Sequence, residues 1–293
     1  MIRHAPSIGI GIGISLRGSG VGFNGLANQF PGGAIGLSLR LLNNQFANLG
    51  IVNVRRDSDS DTVLVKVDKS FAQPLITLNS PLVGSSATFG DFVSGTDGLV
   101  TDWIDQFNIG GNDATQVTTT AQPKIVDAGS LITQGGLPAI DFDTSAKHFD
   151  MAALGLGSSW SMFSVIRATG TNSKILSQTP SSGGAPRIDL EQSSPDVVEI
   201  VSNSFADSDK MNSSNDINMQ SLVTLIDDST SFTFFTNGSG SNENPLTIGG
   251  SFTFTVIAGS SPSIQQELII YNSVETSNRV GIETNINAHY SIF

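Results

Sequence analysis

The chain contains no cysteine. Disulfide frameworks, zinc–thiolate and iron–sulfur centres and cysteine nucleophiles are therefore excluded. Outside a cell, its stability would have to come from packing or assembly. Charge is also scarce, at 14% of residues against about 25% in an average globular protein. Only 14 residues are Lys or Arg, against 26 Asp or Glu, for a formal net charge of −12. So few cations argue against a nucleic-acid partner, whose phosphates need clustered Lys and Arg, and against a polybasic membrane anchor. No run approaches the ~18 continuous apolar residues of a membrane-spanning helix, so no membrane insertion is expected. The three histidines, His4, His148 and His289, stand in no metal-ligand spacing such as H-E-x-x-H. No G-x-S-x-G nucleophile elbow occurs.

What is abundant is glycine, 31 of 293 residues, together with Ser, Thr and Asn. These are turn formers and poor helix formers. Short alternating stretches recur: Ile35–Leu41, Ile51–Arg55, Thr62–Val67, Leu99–Gln106, Pro123–Val126, Leu137–Asp143, and eight more between Ser161 and Tyr271. Turn signals separate them at roughly 8–12 residues, the rhythm of a sandwich. Residues 84–95 allow one short helix. Near the end, Ile282, Ile286 and Tyr290 share one helical face behind Ser277, a good N-cap. This helix is expected to plug one end of the sandwich. Trp103, Trp160, Tyr271 and Tyr290, and most of the 17 Phe, read as core.

Residues 1–33 stand apart. Ile8, Ile10, Ile12, Ile14 and Leu16 occupy every second position, mostly with Gly between, which gives a strand one apolar face and one bare face. The positive start resembles a signal peptide, but half the stretch is Gly, Arg17 follows at once and no A-x-A-like site appears. The segment reads as an anchoring arm that docks on a neighbouring subunit, or as an edge strand of the chain's own sheet. Gly20-Val21-Gly22-Phe23-Asn24-Gly25 matches G-x-G-x-x-G, but no helical pattern follows.

Three polar features invite functional readings. Asp57, Asp59 and Asp61 alternate at a hairpin tip; they are weak Ca²⁺ candidates, because an EF-hand loop would have Gly where Thr62 stands. The run containing Asp105, Asn108, Asn112 and Asp113 reads as a tight, Gly-hinged loop in which Asp105 and Asn112 bond backbone groups. The polar loops 203–216 and 237–244 offer Asn203, Asn212, Asn215, Asn237 and Asn242 as glycan contacts. Paired carboxylates for glycoside hydrolysis could come from Asp141, Asp143, Asp189, Glu191, Glu199 or Glu267.

An ordered series of stretches carries a resemblance. It runs from Leu37-Ser38-Leu39-Arg40-Leu41-Leu42-Asn43 through Val52–Asp59, Trp103-Ile104-Asp105-Gln106, Asn112–Gln116, Gln122–Val126 and Pro138–Asp143. It ends with Glu267–Ser273 and Ser277–Asn287. Residues 34–293 resemble the concanavalin-A-like (laminin-G-like) jelly-roll domains of tailed-phage structural proteins. The first half is also similar to the N-terminal part of arabinofuranosidase-B-type glycosidases. The family loop Trp-Tyr-Asp-Gln-Ser-Gly-Asn-Gly is here Trp103-Ile104-Asp105-Gln106-Phe107-Asn108-Ile109-Gly110, without the aromatic and the serine. The stretches that should bear the glycosidase's carboxylates do not match.

The resemblance implies an all-β, two-sheet antiparallel jelly-roll sandwich (residues 34–293, with a candidate sub-boundary near 145); the N-terminal extended arm (1–33), which lies outside the resemblance, and the short C-terminal helix are read from the residue pattern. It implies a virion structural protein, in a tail fibre or on the capsid surface, assembled in the host cytoplasm and exposed extracellularly. Its partners would be other virion proteins through residues 1–33, further copies of itself, and a host surface glycan. The expectation is of no enzyme, no catalytic residues and no cofactor other than candidate Ca²⁺. The alternatives are a stand-alone carbohydrate-binding module and a glycoside hydrolase.

Overall fold

A computed structural model describes residues 23–109, 111–144, 146–180, 185–193, 196–201, 208–213, 216–244, 252–259 and 261–293. Two antiparallel sheets face each other. The first runs Ser239–Asn244, Phe232–Thr236, Ser221–Asp227, Trp160–Ala168 and Ser263–Tyr271. On the far side of Ser263–Tyr271 lie both Gly33–Ser38 and Ile140–Phe142. The sheet continues through Lys124–Asp127, Gly98–Trp103, Val52–Arg56 and Thr62–Val65. The second sheet runs Ser208–Asn212, Val197–Val201, Arg187–Glu191, Asn172–Ser177, Phe252–Ala258 and His148–Leu156. Ala114–Thr115 joins it back to Gly98–Trp103.

Alternation within the strands builds the core. Met162, Val223, Leu225, Leu268 and Ile270 point from the first sheet to Phe149, Ile188, Leu190, Val198, Ile200 and Phe254 of the second. Trp160 packs edge-on against Phe232 and Phe252, with centroids 5.5 and 6.0 Å away. The alternate residues of the first sheet, Phe163, Val165, Leu222, Ile269 and Tyr271, meet Ile282, Ile286 and Tyr290 of the Arg279–Tyr290 helix. That helix lies on the outer face of the first sheet, and does not plug the end of the sandwich. The physical reason is that this sheet is apolar on both faces, so its second face needs a cover. The helix N-cap is Asn278, without a side-chain bond, and not Ser277.

The two-sheet sandwich and the C-terminal helix are as the sequence led one to expect, and the 84–95 stretch does carry a four-residue helix, Phe89–Phe92, closed by a Thr88/Asp91 capping box. Three strands of five or more residues were missed. His148–Leu156 breaks its register between Asp150 and Leu154. Ser208–Asn212 and Ser239–Asn244 fall inside the stretches read as loops. Both are polar strands pairing with a single neighbour, so no period-2 apolar signal marks them.

Residues 23–33 lie against the sandwich. The short Leu26–Gln29 helix buries Leu26 and Ala27, the Ala27 N–H donates to the Leu42 carbonyl at 2.9 Å, and the Tyr271 hydroxyl donates to the Phe30 carbonyl at 3.0 Å. Ile8, Ile10, Ile12, Ile14 and Leu16 lie outside the described residues, as do Asn203 and Asn215.

Candidate functional site

The outer face of the second sheet carries a row of ionisable groups. In register across four strands stand Lys174, Asp189, Glu199 and Lys210. Arg187 and Glu191 sit two residues either side of Asp189 and so share its face. The intervening residues Ile188, Leu190, Val198 and Ile200 fill the core. Strand alternation thus places the apolar set inside and the charged set outside.

Arg187 ties the two central carboxylates together. Its Nε donates to Asp189 Oδ2 at 2.5 Å and its Nη2 to Glu199 Oε2 at 3.0 Å. Lys210 pairs with Glu191 and lies 3.8 Å from Glu199 Oε1. Directly opposed residues on neighbouring antiparallel strands have β-carbons about 5 Å apart, so Asp189 and Glu199 form a close carboxylate pair. Asp189 is 4% exposed and its Oδ1 is buried with no hydrogen-bond partner. Burial pushes its carboxyl up to about 6, against the pull of Arg187 and Lys174. It holds a proton more readily than an ordinary carboxylate, and its unpartnered oxygen can carry it.

The other acids proposed from sequence are placed differently. Glu267 is buried against Arg40, with Nε to Oε2 at 2.7 Å and Nη2 to Oε1 at 2.8 Å, and also accepts from the Ser38 hydroxyl at 2.7 Å. Burial alone would raise it, but the Arg40 charge and these bonds hold it below the usual range. Its oxygens are committed to holding the fold. Asp141 faces Lys124 in register, and burial together with the Asp143 charge raises it; Lys124 is itself held by Asp97 at 2.8 Å and Asp127 at 3.0 Å.

Asp57, Asp59 and Asp61 turn to arginines. Arg55 Nη1 meets Asp57 at 3.1 Å, and Arg56 pairs with Asp59 and reaches Asp61 at 3.4 Å. No group of three or more His, Asp or Glu converges as a metal site among the described residues.

In the 105–113 loop, Asp105 Oδ1 accepts from the Gly36 and Phe107 N–H groups at 2.8 and 2.9 Å, and Oδ2 from the Asn112 N–H at 3.3 Å. Asp113 Oδ1 accepts from the Asp105 N–H at 2.8 Å. Asn112 and Asn108 donate to the Ala34 carbonyl at 2.9 and 3.4 Å. Every one of these bonds is internal to the protein. Asn237 has φ +54° at the hairpin between two strands, and its Oδ1 accepts from the Leu222 N–H at 2.9 Å. Asn242 lies in the Ser239–Asn244 strand. Asn212 is exposed, two residues from Lys210 on the same strand face. It alone among the five asparagines is described beside the charged row. The row itself was missed as a unit because strand pairing, not sequence proximity, assembles it; the alternating Arg187, Asp189 and Glu191 were its one local signal.

No family model matches the chain, and no curated protein matches it. Solved structures do. A GH54 α-L-arabinofuranosidase soaked with a cyclic sulfate inhibitor is similar over 87% of this chain, with a TM-score of 0.60 and 14% identity. An arabinofuranosidase complexed with arabinofuranosyl-α-1,2-xylobiose is similar over the same share, with a TM-score of 0.56 and 17% identity. The matched region spans 62% of each enzyme's length. The chain therefore shares the β-sandwich fold of these two enzymes. This corrects the expectation of a non-enzymatic chain: the fold it shares over 87% of its length is that of two arabinofuranosidases.

Proposed function

We propose that the chain is a glycoside hydrolase whose reacting groups are Asp189 and Glu199. The observation that carries this reading is the asymmetry of the pair: one carboxyl buried, unpartnered at Oδ1 and raised to about 6, the other opposite it on the next strand. A buried carboxyl that keeps its proton beside a second carboxylate suits general-acid work. Asp189 would protonate the glycosidic oxygen as the bond from that oxygen to the anomeric carbon breaks. Glu199 would form a bond to that carbon. Asp189, now ionised, would then take a proton from water as the water oxygen displaces Glu199. Arg187 would hold both carboxylates in place.

The test is hydrolysis of 4-nitrophenyl α-L-arabinofuranoside and related neutral nitrophenyl glycosides by the full chain. Release of nitrophenol that falls at least 100-fold in both Asp189→Asn and Glu199→Gln supports the reading. Turnover indifferent to both substitutions overturns it.

A finer reading adds the setting: a virion-exposed domain of a tailed phage that assembles through its N-terminal segment and acts on, or holds, a host glycan. Its support is the Ile/Gly alternation of residues 8–16, together with the docking of residues 23–33 on the outer side of the first sheet. Light scattering of the full chain and of a chain lacking residues 1–22 tests it. An oligomer that becomes a monomer on truncation is the expected outcome, and two equal monomers would remove the assembly role.

A further inference from the structure

The side of the molecule opposite the charged row holds a pocket of about 530 Å³, within the ~300–1,000 Å³ typical of ligand sites. It lies where the C-terminal helix meets residues 71–75 and the start of the described chain. Phe23 and Phe71 supply aromatic surface; Asn24, Gln73, Asn285 and His289 supply polar groups. Phe71 is 49% exposed, which is unusual in a chain whose other large aromatics are mostly core. A second hollow of about 360 Å³ shares Phe23 and Phe71, so the two form one elongated groove.

We propose that this groove binds neutral oligosaccharide and does no chemistry. Its polar groups have unused hydrogen-bonding capacity. Asn285 Oδ1 accepts from Arg40 Nη1 at 2.9 Å, which fixes the amide and leaves Nδ2 uncommitted. Among the described residues, the side-chain amides of Asn24 and Gln73 and both ring nitrogens of His289 make no hydrogen bond. An apolar protein segment covering them would bury these donors and acceptors unpaired; sugar hydroxyls, each both donor and acceptor, would satisfy them. Aromatic faces at the wall suit the C–H face of a sugar ring.

The same lining sets the charge of the ligand. No Asp, Glu, Lys or Arg lines the larger pocket. His289 is held neutral near pH 7, because burial and the Arg40 charge push it down to about 4. Behind the wall, Arg40 and Glu267 neutralise each other. Lys69, in the smaller hollow, donates to Asn48 at 2.6 Å. A phosphate, sulfate or uronate would find no counter-charge in the larger pocket. No free carboxylate stands ready there either, so binding is separated from the Asp189/Glu199 pair by the thickness of the sandwich. Such a site would keep a polymeric substrate on the protein between cleavages. In that role it rests on the hydrolase reading; as a binding site it does not.

The experiment displays neutral and sialylated or sulfated oligosaccharides on an array, probes it with the labelled full chain, and measures the best neutral binder by calorimetry. Phe71→Ala at the exposed rim and Gln73→Ala at a half-buried position should each weaken that binder about tenfold or more without lowering the melting temperature. Asp189→Asn should leave it unchanged while abolishing hydrolysis. Binding confined to acidic glycans, no glycan binding at all, or binding that survives both groove substitutions would each overturn the proposal. Loss of binding in Asp189→Asn with the groove variants unaffected would move recognition to the charged row. If Asp189→Asn leaves hydrolysis intact while the groove variants lose the sugar, the hydrolase reading fails and the groove stands.

Discussion

At the scale of single residues, protonation separates the proposed reacting groups from those that hold the fold. A general acid works only while it carries its proton. Hydrolysis should therefore decline as pH rises through about 6, the position to which burial pushes Asp189. A pH–rate profile checks this. His289 gives a second pH signature, in stability. Its folded value of about 4 lies below the unfolded 6.5, so the unfolded chain binds the extra proton between these values. Stability is therefore present above about pH 6.5 and falls towards pH 4, by up to about 3 kcal/mol. Denaturant melts of the native chain and of His289→Phe at pH 7 and pH 4.5 should show the loss in the native chain and a smaller one in the variant.

At the scale of elements, the 105–113 loop works as a clasp on the first strand. Three backbone N–H groups from three places in the chain converge on Asp105, and Gln106 adds bonds to the Leu42 N–H and the Ser38 and Arg40 carbonyls. Asp105→Ala should cost about 2–5 kcal/mol, since it leaves several buried donors unpaired. Gly36 shows the same closeness in another way. A β-carbon there would stand 2.1 Å from the Phe107 ring, so Gly36→Ala should force that ring off Tyr271, its edge-on partner at 5.6 Å, and lower stability by about 1–3 kcal/mol. Thermal melting reads both. The clasp also gives Phe107, where the resembling loop pattern has serine, its place: the ring is packed over Gly33 and Gly36 of the first strand.

At the scale of the whole molecule, one buried ion pair joins pieces distant in sequence. Arg40 and Glu267 are both essentially unexposed; the Tyr290 hydroxyl donates to Glu267 at 3.2 Å, and Arg40 reaches Asn285. The first strand region, the last strand and the C-terminal helix thus meet at one charge pair. Removing one partner strands the other charge, so Glu267→Gln should destabilise by about 3–5 kcal/mol. A melting curve should show one cooperative transition shifted downward. A variant as stable as the native chain would mean that water relieves the pair.

The alternation of strands, the shared face of Ile282, Ile286 and Tyr290, and the absence of thiol chemistry were legible in the sequence, because side-chain periodicity and composition are local properties of a chain. Ser208–Asn212 and Ser239–Asn244 were not, because polar strands at a sheet margin carry no apolar period. The pairing of Asp189 with Glu199 was invisible for a different reason: register between strands is set by which faces must be buried, and only the folded sheets bring Lys174, Asp189, Glu199 and Lys210 into one row. Likewise the helix was foreseeable but its seat was not, since an amphipathic pattern says which face is buried and not against what. The sequence alone thus determined the material of the sandwich and its layers. Tertiary structure decided which acids became partners, because burial and neighbouring charge, which set a carboxyl's proton affinity, exist only once the sheets have closed.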